Sequence, residues 1–177
     1  MRQRELGKDA VANLEQALTF CRNYADMPED WLVLTGTYGC GKTHLAAAVA
    51  NAQAACGRTA LFVVVPDLLD HLRATYAPDS RVSYDKRLDM VRKALLLVLD
   101  DLGTQSATPW AQEKLFQIFD YRYNARLPTV ITMTEDAKVA ERLKSRLLDR
   151  GRSTVLHMGA PSYRGAVSRQ RKKRTSG

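Results

Sequence analysis

Cysteine is scarce in this chain. The three that occur, Cys21, Cys40 and Cys56, are an odd number with no CxxC spacing among them, which argues against a disulfide framework and a zinc-ligand set alike. Long apolar sequence is scarce too: no run approaches the roughly 20 residues that a bilayer-spanning helix needs. The N-terminus, Met1-Arg2-Gln3-Arg4-Glu5, leads into mixed polar sequence rather than the apolar centre of a secretory signal. These absences lead us to expect a cytoplasmic protein with no membrane partner. Acidic residues are missing from the C-terminal stretch. Arg164, Arg169, Arg171, Lys172, Lys173 and Arg174 stand there without a carboxylate, and so account for six charges of the net +8. Such a run reads either as a solvated appendage or as a contact for nucleic-acid phosphates.

What is present is ordinary for a globular protein: 177 residues, 45% hydrophobic and 26% charged, enough for one domain with a substantial core. Val11, Leu14, Leu18 and Cys21 recur at helical spacing, so a helix is expected over about Lys8 to Ala25, ended by Met27-Pro28-Glu29-Asp30. Strands are expected at Trp31 to Leu34, Ala60 to Val65, Leu95 to Leu99, Pro128 to Met133 and Ser153 to Met158. Between them lie helical stretches after the first strand, from Pro66-Asp67 to about Tyr76, from Tyr84 to Ala94, from Thr108-Pro109 onward, and from Glu135 to Leu148. Alternating strands and helices predict an α/β fold with a mainly parallel sheet flanked by helices. Leu115, Phe116, Phe119 and Tyr123 fall along one side of their helix and read as core rather than as base-stacking groups. The expected divisions are an N-terminal helix and linker over 1–30, the α/β domain over 31–159, and a basic tail over 160–177.

One segment carries specific chemistry. Gly36, Thr37, Tyr38, Gly39, Cys40, Gly41, Lys42 and Thr43 spell GxxxxGK[ST], with an apolar run before them and the helix-prone run opened by His44 after them. Glycines let successive backbone N–H groups converge on an anion, the helix N-terminus adds partial positive charge, and Lys42 supplies a full charge for β- and γ-phosphates. Thr43 is placed to offer its hydroxyl to Mg²⁺. His44, next along the helix, is counted among the nucleotide contacts. Downstream, Leu95 to Leu99 end in Asp100-Asp101. A carboxylate at the end of a buried strand is where such a site needs its metal residue, so Asp100 takes that role and Asp101 becomes the candidate that polarises water.

At this point the chain resembles the AAA+ ATPases of bacterial replicative helicase loaders, the DnaC and DnaI type, and the related transposition helper IstB. The likeness runs from about Asn13 to Arg164. It rests on Gly36 to Asn51, on Val65-Pro66-Asp67-Leu68-Leu69, on Leu99 to Gly103, and on Glu141-Arg142-Leu143-Lys144-Ser145-Arg146. The Asp-Asp pair looks more like a loader than like IstB, which usually carries Asp-Glu there. The resemblance implies a P-loop fold of AAA+ type binding ATP and Mg²⁺, with Arg146 as a finger for the γ-phosphate of a neighbouring copy in an ATP-dependent homo-oligomer. It also implies single-stranded DNA and a hexameric replicative helicase as partners.

Three departures stand out. Thr134 occupies the family's sensor position, where asparagine is usual. Only Met1 to Asp30 precede the first strand, where loaders carry a separate helicase-binding segment. After Met158 we expect no helical lid, although Ser162-Tyr163-Arg164 resembles the family's terminal Ser-Tyr-Arg and makes Arg164 a candidate second sensor. The family's DNA-contacting insertion corresponds to about Pro66 to Lys93, with Arg73, Arg81, Lys86, Arg87 and Arg92 as basic candidates. Two further readings stay open: a transposition-type regulator forming filaments on duplex DNA, and a nucleotide-gated adaptor with little turnover.

Overall fold

The computed structural model describes residues 7–74, 84–104 and 108–163. Among these, five strands form one sheet: β1 (Trp31–Gly36), β2 (Ala60–Val64), β3 (Leu96–Leu102), β4 (Thr129–Met133) and β5 (Ser153–Met158), in the order β2-β3-β4-β1-β5. Every pairing in it is parallel. A parallel pair needs a crossover, and the crossovers are helices: α2 (Lys42–Ala55), α3 (Val65–Ala74), α4 (Tyr84–Arg92), α5 (Pro109–Asn124) and α6 (Glu141–Leu147), with α1 (Lys8–Asp26) ahead of the sheet. The α/β expectation therefore holds.

Side-chain alternation along each strand divides the core in two. Trp31 and Val33 of β1, Leu97 and Leu99 of β3, and Ile131 of β4 pack with α3, α4, α5 and α6. Leu32, Leu34, Leu96, Val98 and Val130 point the other way, onto Cys21 and Tyr24 of α1 and Ala46 and Val49 of α2. Burial on both faces explains why β1 and β3 read as unbroken apolar runs. The aromatic stripe of α5 lies in or against the first of these clusters, as expected: Leu115 and Phe119 are buried, and Phe116 and Tyr123 are partly buried beside them. The ring of Trp31 meets those of Phe119 and Tyr123 edge-on at 5.4 and 5.7 Å.

Two expectations need correction. Leu95 is 66% exposed and β3 begins one residue later, while Asp100 and Asp101 belong to the strand itself. The helix expected from Glu135 to Leu148 is a single short element, Glu141–Leu147. Before it, the chain turns at Glu135 and runs without helix to Ala140. There Ala137 packs on the turn after β3 so closely that a Cβ on Gly103 would lie 2.5 Å from that of Ala137. Tertiary packing overrides helical periodicity here.

Interactions between distant segments tie the ends of the sheet to the helices. The Asn13 amide donates to the His157 carbonyl (2.8 Å) and accepts from the Gly159 amide (2.8 Å), which fixes α1 beside the end of β5. At the opposite end of the sheet, Arg122 of α5 is fully buried. Its guanidinium donates to Thr129 Oγ1 and to the carbonyls of Arg92, Ala94 and Pro128.

Candidate functional site

The loop from Gly36 to Thr43 joins β1 to α2 at the C-terminal edge of the sheet, between two central pieces of secondary structure. Gly36 has φ of +145°, and a Cβ there would lie 2.5 Å from the Met158 carbonyl oxygen, so no other residue fits between β1 and β5 at this point. Lys42 opens α2 and is 6% exposed. Its ammonium donates to the carbonyls of Gly36 and Thr37, both at 2.8 Å, and lies 3.8 Å from Cys40 Sγ. These partners are uncharged, so the buried cation has no carboxylate among its hydrogen bonds and remains a positive centre for an incoming anion.

Asp100 comes to the same place from β3. It is 4% exposed, and Thr43 Oγ1 donates to its two carboxylate oxygens at 3.0 and 3.2 Å. The register explains the approach. Leu99 pairs with Ile131 and Leu102 with Met133, so two residues of β3, Asp100 and Asp101, face one residue of β4, Thr132. This is a β-bulge, which bends a strand and re-aims its side chains. Asp101 takes φ of +59°, a left-handed conformation that aspartate tolerates better than most residues. Its backbone N–H donates to Thr132 Oγ1 (3.0 Å), and the Thr132 hydroxyl in turn donates to Asp100 Oδ1 (2.6 Å).

A hydroxyl and a carboxylate beside a buried ammonium suit a phosphate-bound Mg²⁺, which keeps most of its water and takes few protein ligands. Among the described residues no group of three or more His, Cys, Asp or Glu could hold a metal ion. Thr43 and Asp100 are the residues that would hold Mg²⁺, and the ion would supply charge neutralisation at the phosphates.

The IstB-like ATP binding protein model matches residues 2–173. The chain belongs to this family. It is 29% identical over 164 residues to the replicative helicase loader DnaC of Buchnera aphidicola subsp. Baizongia pistaciae, covering 90% of this chain and 65% of that protein. Against the replicative helicase loader DnaI of Bacillus subtilis strain 168 the identity is 25% over 166 residues, 85% of this chain and 51% of the relative. The chain thus spans between about half and two thirds of these curated relatives. A crystal structure of the DnaC helicase loader superposes with a TM-score of 0.67 at 28% identity, covering 82% of this chain and 89% of that one. The fold is that of P-loop AAA+ proteins.

The sequence-derived residues fall into groups. Gly36 to Thr43 and Asp100-Asp101 converge as described, and Tyr38 and His44 are exposed beside them. The segment after β5 also folds onto the loop: the Tyr163 N–H donates to the Gly39 carbonyl (3.0 Å), and a Cβ on Gly39 would lie 2.4 Å from Ser162 Oγ. Arg164, the basic tail beyond it and Arg81 lie outside the described residues. Thr134 is buried just beyond β4, and lines a groove of about 630 Å³ with Thr35, Glu135 and residues of α6. It is Thr132, two residues earlier, whose hydroxyl meets Asp100. Sequence reasoning missed Thr132; the one available signal was its place in β4, on the sheet face shared with Asp100.

Arg146 packs against α5. On α6 it pairs with Asp120, donates to the Arg142 carbonyl (3.0 Å) and lies 4.9 Å from the centre of the Phe116 ring. Of the basic candidates in the proposed DNA-contacting insertion, Arg73 lies over the Trp110 ring at 4.9 Å and Arg92 pairs with Asp89.

Proposed function

We propose that the chain is an ATP-hydrolysing module of the helicase-loader kind, which couples its nucleotide state to single-stranded DNA or to a hexameric replicative helicase. The observation that carries this reading is the convergence of Lys42, Thr43 and Asp100, with Asp101 next to them on a strained, hydrogen-bonded backbone. Lys42 and the loop amides bind and orient the phosphates. Asp101 orients the attacking water, and Thr134 and Arg164 sense the γ-phosphate. Arg146 supplies the guanidinium for the site of a neighbouring copy, so hydrolysis needs assembly; in the free chain its pairing with Asp120 keeps it on its own surface. The basic stretch beyond Arg164 adds phosphate contacts.

A second reading draws on the IstB-like family match: an ATPase regulator that assembles on duplex DNA. ATP turnover measured alone, with single-stranded DNA, with duplex DNA and with a hexameric replicative helicase separates the two. Stimulation by single strands or by the helicase supports the loader reading, and stimulation by duplex alone supports the regulator. Tight ATP binding without turnover under every condition would reduce the chain to a nucleotide-gated adaptor.

A further inference from the structure

We propose that Thr132 is a positioning residue that sets both acidic residues of the site through one hydroxyl, and thereby fixes how the site responds to Mg²⁺. This rests on the ATP-hydrolysis reading above.

A threonine in the middle of a buried β-strand is usually a packing residue whose hydroxyl finds a local carbonyl. Thr132 is fully buried, and its hydroxyl does something else. It donates its proton to Asp100 Oδ1 at 2.6 Å and accepts the Asp101 N–H at 3.0 Å, so both bonds leave β4 for β3. The bulge makes this possible. With Asp100 and Asp101 together opposite Thr132, the strand register leaves a backbone N–H for a side-chain acceptor.

Two consequences follow from the directions of these bonds. The carboxylate of Asp100 has Oδ1 engaged by a buried donor, which restricts its rotamer, and Thr43 Oγ1 meets the carboxylate so held at 3.0 Å from Oδ1 and 3.2 Å from Oδ2. The second consequence concerns Asp101. Its φ of +59° carries a backbone cost that the bond to Thr132 offsets, and the direction of its side chain depends on that backbone. One hydroxyl therefore holds the metal-side carboxylate of Asp100 and the backbone that carries the water-side Asp101 before any nucleotide arrives. Such preorganisation lowers the reorganisation needed in the transition state, and it keeps the Asp100 carboxylate ready for the Mg²⁺ that accompanies ATP.

The test compares Thr132→Val, which keeps the branched shape and the strand preference but removes the hydroxyl, with Thr132→Ser, which keeps the hydroxyl and removes the methyl group. At saturating ATP the valine variant should lose about tenfold or more in kcat with little change in KM, and should need more Mg²⁺ for half-maximal turnover. Serine should restore both. Wild-type kcat and Mg²⁺ requirement in the valine variant would overturn the proposal, as would a serine variant as impaired as valine, since the methyl packing would then be what matters. If the wild-type protein itself turns over no ATP, the hydrolysis reading fails separately, and the positioning role is read from binding. The gain in ATP affinity between EDTA and Mg²⁺ should shrink in the valine variant and persist in the serine variant; an unchanged gain in valine overturns it. Should the valine variant not fold, the serine variant decides alone, with wild-type Mg²⁺ dependence in favour and its loss against.

Discussion

Replacing Arg122 with methionine should cost about 3 kcal/mol of stability or more without touching the nucleotide site, and the magnitude can be worked from the guanidinium's surroundings. The side chain is fully buried and makes hydrogen bonds of 2.8 Å to Thr129 Oγ1, 3.1 Å to the Arg92 carbonyl, 2.7 Å to the Ala94 carbonyl and 2.6 Å to the Pro128 carbonyl. Hydrogen bonds from a charged donor contribute about 1.5–3 kcal/mol each. Against them stands the burial of the charge. Desolvation pushes the guanidinium pKa down to about 10, so the group is still charged at neutral pH and carries a penalty of roughly 3 kcal/mol. The sign follows: this penalty is fully present below the folded pKa and is relieved only as pH rises from there toward the ordinary arginine value. Methionine fills similar volume and removes the charge, but leaves the carbonyls of Arg92 and Ala94 without this donor. Lysine, with three donors at one point, cannot span the acceptors that the planar fork reaches, and should lose an intermediate amount. Urea unfolding at neutral pH measures both. For a chain of this size a 3 kcal/mol loss lowers the melting temperature by about 6–12 °C. Arg122 anchors the end of the sheet opposite Asp100, so ATP affinity measured well below the melting temperature should be unchanged. A methionine variant within 1 kcal/mol of wild type, or a lysine variant as stable as wild type, would refute this account of the buried cation.

Three further expectations concern the site. Lys42→Ala should abolish tight ATP binding, because it removes the ammonium held by Gly36 and Thr37; a fluorescent-nucleotide titration with wild-type affinity would show that the loop binds by backbone alone. Asp101→Asn keeps shape and removes charge, so ATP binding should persist while turnover slows by about two orders of magnitude, and unchanged turnover would move the water-orienting role elsewhere. Arg146→Ala should bind ATP normally and lose turnover, and mixing it with Asp101→Asn should restore part of the activity, since some mixed interfaces then carry an intact finger and an intact Asp101. Activity no greater than the sum of the separate rates, at concentrations that support assembly, would make Arg146 a structural partner of Asp120.

The phosphate-binding loop was legible because its information is contiguous. Three glycines, a lysine and a threonine at fixed spacing between an apolar run and a helix-prone run need no knowledge of the rest of the chain, and the apolar stretch before Asp100 marks a buried strand in the same local way. The strand-helix alternation likewise gave the parallel sheet. What the tertiary structure alone decided are relations between segments far apart in the chain. Thr132 reaches Asp100 only because β3 and β4 are neighbours with a bulge between Leu99 and Leu102. Ser162 closes on Gly39 only because β5 lies beside β1 and returns the chain to the loop. Arg122, which composition would place on the surface, is interior because the end of α4, the turn after it and the residue before β4 present carbonyls to it from separate segments. The helical pattern after Glu135 yields to packing against Gly103. Local chemistry fixes which residues can serve a site, whereas sheet order and register fix which of them meet.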